Sequence, residues 1–208
     1  VGEVTEEQSI ITLLKKSREN ILPTRSHRVS AGVLRRAKRI KLFLMDVDGT
    51  LTDGSVSLIS NMATGELFEL KTFDAHDGAG ITLAHIMGIK TGVITGRNSA
   101  ATAQRAKEMK MDFVYQARAK KVDAYEEAQK LSGVTDEETA YLGDDLPDMP
   151  LFARAGLAVA TANAVDELKK IAHYVTKAGG GKGAAREVVE LILRAQGRWE
   201  EAVPKALA

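Results

Sequence analysis

The sequence predicts an α/β fold, a doubly wound parallel sheet with a small β-hairpin inserted near its start. Three observations carry that expectation. From Ile40 to Ala195, short apolar runs alternate with segments of helical length and pattern, the rhythm of a parallel sheet covered by helices on both faces. The first run, Ile40 with Leu42, Phe43, Leu44 and Met45, is near-continuous, as a strand buried on both sides requires. Two β-rich runs then lie a hairpin's distance apart before the first helix of the alternating series.

Taken in order, Thr5-Glu6-Glu7-Gln8 has capping-box spacing and Ile10, Ile11, Leu13 and Leu14 follow with helical period, so a helix is expected over about 5–21, stopped by Pro23. A second short helix is expected over 30–38, with Val33 and Ala37 on one face. Residues 1–39 thus read as a basic helical arm, and 40–208 as the main domain. The hairpin, an insertion of about 54–73, comprises Ser55 to Ser60 and Glu66 to Phe73 around a turn ending in Gly65. After it the expected order is helix 78–87, strand 89–94, helix 99–109, strand 113–115, helix 121–131 and strand 139–142. A short helix over 148–154, strand 157–160, helix 165–171, strand 174–175 and helix 184–195 complete it.

Composition narrows the function classes. Apolar residues at 44% and charged residues at 27% place the chain among globular proteins, and its longest apolar stretches are far too short to cross a bilayer. There is no cysteine, so any metal is held by oxygen or imidazole ligands. No apolar core followed by a small-residue cleavage site opens the sequence, so the cytoplasm is the expected compartment. The net charge of +1 is uneven: residues 1–41 hold ten Lys and Arg against four Glu, and the rest 19 against 24. A basic arm without an aromatic residue reads as a solvated helix face, and no nucleic-acid partner is expected.

Ligands of open parallel sheets bind beyond the carboxyl ends of the strands, and three strand ends here carry unusual polar residues. Asp46 and Asp48 follow the first, Thr95-Gly96-Arg97 the next in the main series, and Gly143-Asp144-Asp145 with Asp148 another. Asp46 and Asp48 are two apart after an extended run, which aims both carboxylates the same way. Like charges so placed repel unless a cation sits with them. With Asp144 and Asp145 added, an all-oxygen magnesium site is the economical explanation.

An apolar strand ending Asp-x-Asp-Gly-Thr, followed about a hundred residues later by an apolar strand ending Gly-Asp-Asp-x-x-Asp, resembles the haloacid dehalogenase superfamily of phosphohydrolases. The resemblance spans essentially Ile40 to Ala195 and implies a Rossmann-like core. It implies that Asp46 attacks phosphorus and becomes phosphorylated, while Asp48 protonates the departing oxygen and then deprotonates the attacking water. Thr95 matches the hydroxyl that donates to the phosphoryl group, and Lys121 fits the conserved lysine best, with Lys120 its competitor. Magnesium would be held by Asp46, the Asp48 carbonyl and Asp144, with Asp145 and Asp148 orienting waters and Lys121. Thr95 has a rival reading as a helix cap, and Asp148 as a helix start.

The small hairpin in place of a large lid points to the minimal-cap branch. There the sequence is similar to the 3-deoxy-D-manno-octulosonate 8-phosphate phosphatases and to nonulosonate 9-phosphate phosphatases. The matching stretches are Asp46 to Gly54, Phe73 with Asp77-Gly78 and Gly80, Ile94 to Arg97, Tyr115-Gln116, Gly143 to Asp148, and Ala178 to Val188. The resemblance implies a sugar-acid phosphate substrate and a homotetramer joined through its hairpins, with the glycine-rich segment closing over a neighbour's site. Arg97 and Lys182 are the candidates for gripping the substrate, with His76 and Arg186 behind them. His76 and Lys182 stand where many relatives have arginine, and neither copies its bidentate grip on a carboxylate. Relatives of this fold also serve as non-catalytic oligomerisation modules, a reading that loss of the nucleophile or metal carboxylates would favour; here Asp46, Asp48, Thr95, Lys121 and Asp144 are all present.

Overall fold

The structure, a computed structural model, describes residues 29–205; the helix expected over 5–21 lies outside them. At its centre is a six-stranded sheet, every pair parallel, made of β1 (Leu42–Met45), β4 (Lys90–Ile94), β5 (Phe113–Tyr115), β6 (Thr139–Gly143), β7 (Leu157–Ala160) and β8 (Tyr174–Val175), in the spatial order β5-β4-β1-β6-β7-β8. Strand β1 is the middle of a doubly wound sheet, with β4 on one side and β6 on the other, so the switch point lies at its carboxyl end.

The period of two divides β1 between two cores. Phe43 and Met45 join a cluster with Ala37, Ile81, Val188 and Ile192, while Leu42 and Leu44 pack with Tyr125, Tyr141, Leu151 and Leu168 on the opposite face. The first layer holds α1 (Ala31–Ala37), α2 (Ala75–Ile86) and α7 (Ala184–Ala195); the second holds α4 (Lys121–Ser132), α5 (Met149–Phe152) and α6 (Asp166–Ile171). Helix α3 (Ala100–Glu108) buries Thr102 and Ala106.

Most expected elements stand within a few residues of their places, and the shifts have local causes. Helix α2 starts at Ala75 rather than 78, because the Asp74 side chain caps it by accepting from His76 N at 2.6 Å. The helix expected over 148–154 is a 3₁₀ turn, Leu146–Asp148, running into the short α5. Helix α1 is capped by Ser30, whose hydroxyl accepts from Val33 N at 3.2 Å. It buries Val33 and Ala37 in the main core, so the chain just before residue 39 packs as part of the main body. A last helix, α8 (Trp199–Lys205), was not expected; Trp199 and Ala202 bury it against the same core.

The hairpin of β2 (Ser57–Ser60) and β3 (Leu67–Leu70) is antiparallel and separate from the main sheet. Both strands are exposed apart from the half-buried Glu69. No helix among the described residues is long and apolar enough to cross a membrane.

Candidate active site

The carboxyl ends of β1, β4 and β6 are neighbours, and they bring Asp46, Thr95 and Asp144 to one crevice. Strand β1 stops at Met45, and Thr50, Leu51 and Thr52 all donate their amides to the Val47 carbonyl at 3.2, 2.8 and 3.0 Å. The chain therefore turns at once, and the strand alternation expected to align Asp46 with Asp48 ends before it reaches them. Asp46 faces Lys121, Nζ to Oδ2 2.7 Å, whereas Asp48 pairs with Lys71 and has Arg97 Nε at 3.9 Å.

Lys121 opens α4 with its side chain 5% exposed, and it binds Asp46 and Asp148 at once, each at 2.7 Å. Its competitor Lys120 is exposed at the N-cap position. Asp148 is fully buried. One oxygen accepts from Lys121 and from the Tyr141 hydroxyl at 2.8 Å, the other from the Asp144 and Asp145 amides at 3.0 and 3.3 Å. Asp148 thus both caps a turn and fixes Lys121. Asp145, expected to share that task, is exposed and turned to the Leu146 amide at 2.8 Å.

Oxygens of Asp46, Asp144 and Asp148 lie within 4.8 Å of one another. Because those of Asp148 are already engaged, Asp46 and Asp144 are the carboxylates with capacity for a cation. Thr50 Oγ1 donates to Asp144 Oδ1 at 2.8 Å. Burial and the charge of Asp148 raise Asp46 to about 6 against the pull of Lys121, and burial raises Asp144 to about 7. Burial pushes Lys121 downward, but Asp46 and Asp148 outweigh it and hold the ammonium up. Two carboxylates lifted toward neutrality lack one more positive charge, and a hard, oxygen-seeking divalent ion fits that donor set.

Gly49 makes the cluster possible. Its φ is +83°, and a Cβ there would come within 2.0 Å of Asp144 Oδ2. The carboxylate from β6 uses the space this glycine leaves. Thr95 is 2% exposed and accepts from Arg97 N at 3.3 Å. The rival reading of Thr95 as a helix cap does not hold, because Ser99 caps α3.

Of the expected substrate groups, Arg97 stands beside Asp48, but its guanidinium also meets Glu69 at 2.6 Å. Lys182 is exposed and close enough to Asp53 to lower its pKa, after the larger effect of hydrogen bonds from Ser55. The His76 side chain is 85% exposed and lies 3.3 Å from Asp74. The Arg186 side chain binds Glu190 at 2.8 Å and lies over the Trp199 ring at 5.5 Å. The glycine segment packs on the turn after β1 of its own chain, with Gly181 N on Thr50 O at 3.0 Å. Asn163 joins the two, donating to Gly49 O at 2.9 Å and accepting from Gly180 N at 2.5 Å.

The sequence reading missed Thr50, Lys71, Glu69, Tyr141 and Asn163. Two of them, Glu69 and Lys71, carried a local signal toward each other: they are opposite charges two apart in an extended run.

Comparison with known proteins identifies the family. The family model of the haloacid dehalogenase-like hydrolases matches residues 94–187. The chain is 40% identical over 174 residues to the 3-deoxy-D-manno-octulosonate 8-phosphate phosphatase of Escherichia coli K12, covering 84% of this chain and 90% of that one. A crystal structure of the Yersinia pestis phosphatase of the same name superposes with a TM-score of 0.79 at 40% identity, covering 86% of this chain and 94% of that one. One from Moraxella catarrhalis, described in complex with magnesium ion, phosphate ion and KDO, gives 0.77 at 38% identity over 83% and 97% of the two chains. Fold and site together define a phosphoric monoester hydrolase of the haloacid dehalogenase type. Within that class, the chain belongs to the family of the 3-deoxy-D-manno-octulosonate 8-phosphate phosphatases.

Proposed function

We propose that this chain hydrolyses the phosphate monoester of an eight-carbon sugar acid, 3-deoxy-D-manno-octulosonate 8-phosphate, through a phosphorylated Asp46, in the cytoplasm. The observation that carries the reading is the Lys121 ammonium held between Asp46 and Asp148 at 2.7 Å to each. It leaves a partly exposed carboxylate as nucleophile with a fixed cation beside it, at the mouth of the switch-point crevice. A carboxylate serves as a nucleophile by dividing one hydrolysis into two displacements.

In the first, Asp46 attacks phosphorus, the ester P–O bond breaks, and Asp48 gives its proton to the departing oxygen. In the second, water attacks the aspartyl-phosphate, Asp48 takes the water's proton, and phosphate leaves with Asp46 restored. Thr95 and Lys121 supply donors to the phosphoryl oxygens, since positioning and charge neutralisation are most of what phosphoryl transfer asks of a protein. Magnesium, held by Asp46, Asp144 and the Asp48 carbonyl, would supply further neutralisation of phosphoryl charge when bound. Arg97 and Lys182 are the groups proposed to meet the sugar acid.

The hairpin supports a homotetramer. Leu58, Ile59, Met62, Leu67 and Phe68 are 49–93% exposed, and a two-stranded hairpin is marginal until something covers it. A solution mass of four chains by light scattering checks the assembly. The function is tested by phosphate release from 3-deoxy-D-manno-octulosonate 8-phosphate, a nonulosonate 9-phosphate and hexose phosphates, each with magnesium and with chelator. A magnesium-dependent preference for the first is expected; a preference for the nine-carbon acid would move the assignment to the nonulosonate phosphatases.

A further inference from the structure

Lys71 does not behave like the hairpin it follows. Strands β2 and β3 are exposed, yet the Lys71 side chain is 3% exposed. An ammonium withdrawn from water is costly unless anions meet it. Lys71 has two: the Asp48 carboxylate, through Oδ1, and Glu69 at 3.7 Å. The second oxygen of Asp48 faces Arg97 Nε at 3.9 Å, so both ends of this carboxylate are addressed by cations.

Those cations are themselves held. Glu69 accepts from Arg97 at 2.6 Å and from Ser99 Oγ at 2.5 Å, and Ser99 is the N-cap of α3, its amide bound to Gln116 Oε1 at 2.7 Å. A continuous set of charged contacts therefore runs from the start of a packed helix, through the cap strand, to Asp48. A residue held only to anchor the hairpin would be as well served by any surface carboxylate. Here the partner is the carboxylate on which proton transfer depends.

We propose that Lys71 is a positioning residue of the reaction, a buried cation just after the cap strand that fixes the Asp48 carboxylate where it meets the departing ester oxygen. This rests on the reading of Asp48 as the proton donor. The proton goes from Asp48 to the alcohol oxygen as the P–O bond breaks, and Lys71 neither gains nor loses one. General acid catalysis contributes roughly 10²–10⁴-fold, and a displacement of about 1 Å in such a group costs on the order of 10²-fold.

The test uses two leaving groups. An alkoxide needs the proton and para-nitrophenolate leaves without it, and kcat/KM reports only events up to the cleavage of the ester bond. Lys71→Met should lower kcat/KM roughly 10²-fold on an alkyl phosphate that the wild type hydrolyses, and by less than about threefold on para-nitrophenyl phosphate. Lys71→Arg, which keeps a cation in the slot at altered reach, should show the same selective loss at about tenfold, and answers the question if the methionine variant does not fold. Equal losses on both esters, or no loss on either, would overturn the proposal. Wild type and Asp46→Asn are run beside them. A wild type that hydrolyses neither ester, or an active Asp46→Asn, would instead sink the catalytic reading beneath it.

Discussion

Replacing Gly180 with alanine tests whether the glycine segment holds the catalytic turn in place. A Cβ at Gly180 would lie 1.9 Å from Gly49 O and 2.6 Å from Thr52 O, where even close carbon–oxygen approaches stay near 3.3–3.6 Å. Both obstacles are backbone, so no rotamer relieves the clash, and the two segments must part by about 1.5 Å. That separation breaks or stretches the bonds from Gly180 N to Asn163 and from Gly181 N to Thr50 O. Two hydrogen bonds at about 1 kcal/mol each, with an overpacking strain of about 1–3 kcal/mol, give a loss of about 3–5 kcal/mol. For a chain of this size the melting temperature should fall by about 6–20 °C. Because Gly49 also borders Asp144, kcat should drop on the order of 10²-fold. Thermal melting and phosphate release on the same sample measure both. The control is Gly32→Ala, whose Cβ would meet nothing nearer than Ser30 Oγ at 3.6 Å; it should leave both quantities unchanged or raise stability by up to about 1 kcal/mol. A Gly180→Ala protein that melts and turns over like the wild type would refute the clasp.

Asp46→Asn should cut turnover by roughly 10⁴-fold without lowering the melting temperature, since it removes a carboxylate that Asp148 repels; appreciable hydrolysis by a pure sample would rule out the covalent route. Asp46 near 6 and Asp144 near 7 lie above the ordinary 3.8, so the metal-free fold binds more protons than the unfolded chain between about pH 4 and 7. Its stability from these groups is then greatest on the acid side and lost as pH rises through that window. Magnesium needs both carboxylates ionised, so its effect runs the other way: the rise in melting temperature on adding magnesium should be larger at about pH 7.5 than at about pH 5.5. An equal or reversed difference would place the ion elsewhere.

The parts of the molecule legible in the sequence are those whose cause is local. Strands over 113–115, 157–160 and 174–175 and the helix over 184–195 stand where apolar runs and helical period placed them, because a buried strand or an amphipathic face writes its burial into neighbouring positions. The main carboxylates were legible for a related reason. An aspartate directly after a buried apolar strand contradicts its surroundings unless it works there, and the fold brings Asp46 and Asp144 to one crevice. Helix α8 was missed because Glu200, Glu201 and Pro204 mask the two residues that bury it, Trp199 and Ala202. The pairing of Arg186 with Glu190 was legible too, since a spacing of four residues offers it a partner on its own helix.

The groups that set the catalytic side chains in place left far less trace, and the reason is physical. Lys71 looks like a strand-end surface lysine until the hairpin folds back on the turn after β1. Tyr141 looks like one more core aromatic until its hydroxyl finds Asp148. Asn163 is an ordinary loop residue until it joins Gly49 to Gly180. Each acts on a residue far away in the chain or across a turn, so no local pattern encodes it. A carboxylate that breaks or makes bonds can be inferred from its own sequence context, whereas a residue that aims it can be found only by asking what satisfies each buried polar group once the chain has folded. In this protein that question leads from Lys121 to Asp148 and on to Tyr141, and from Asp48 to Lys71 and on to Glu69. The cap hairpin therefore reaches the crevice through ion pairs, from Glu69 and Lys71 to Arg97 and Asp48.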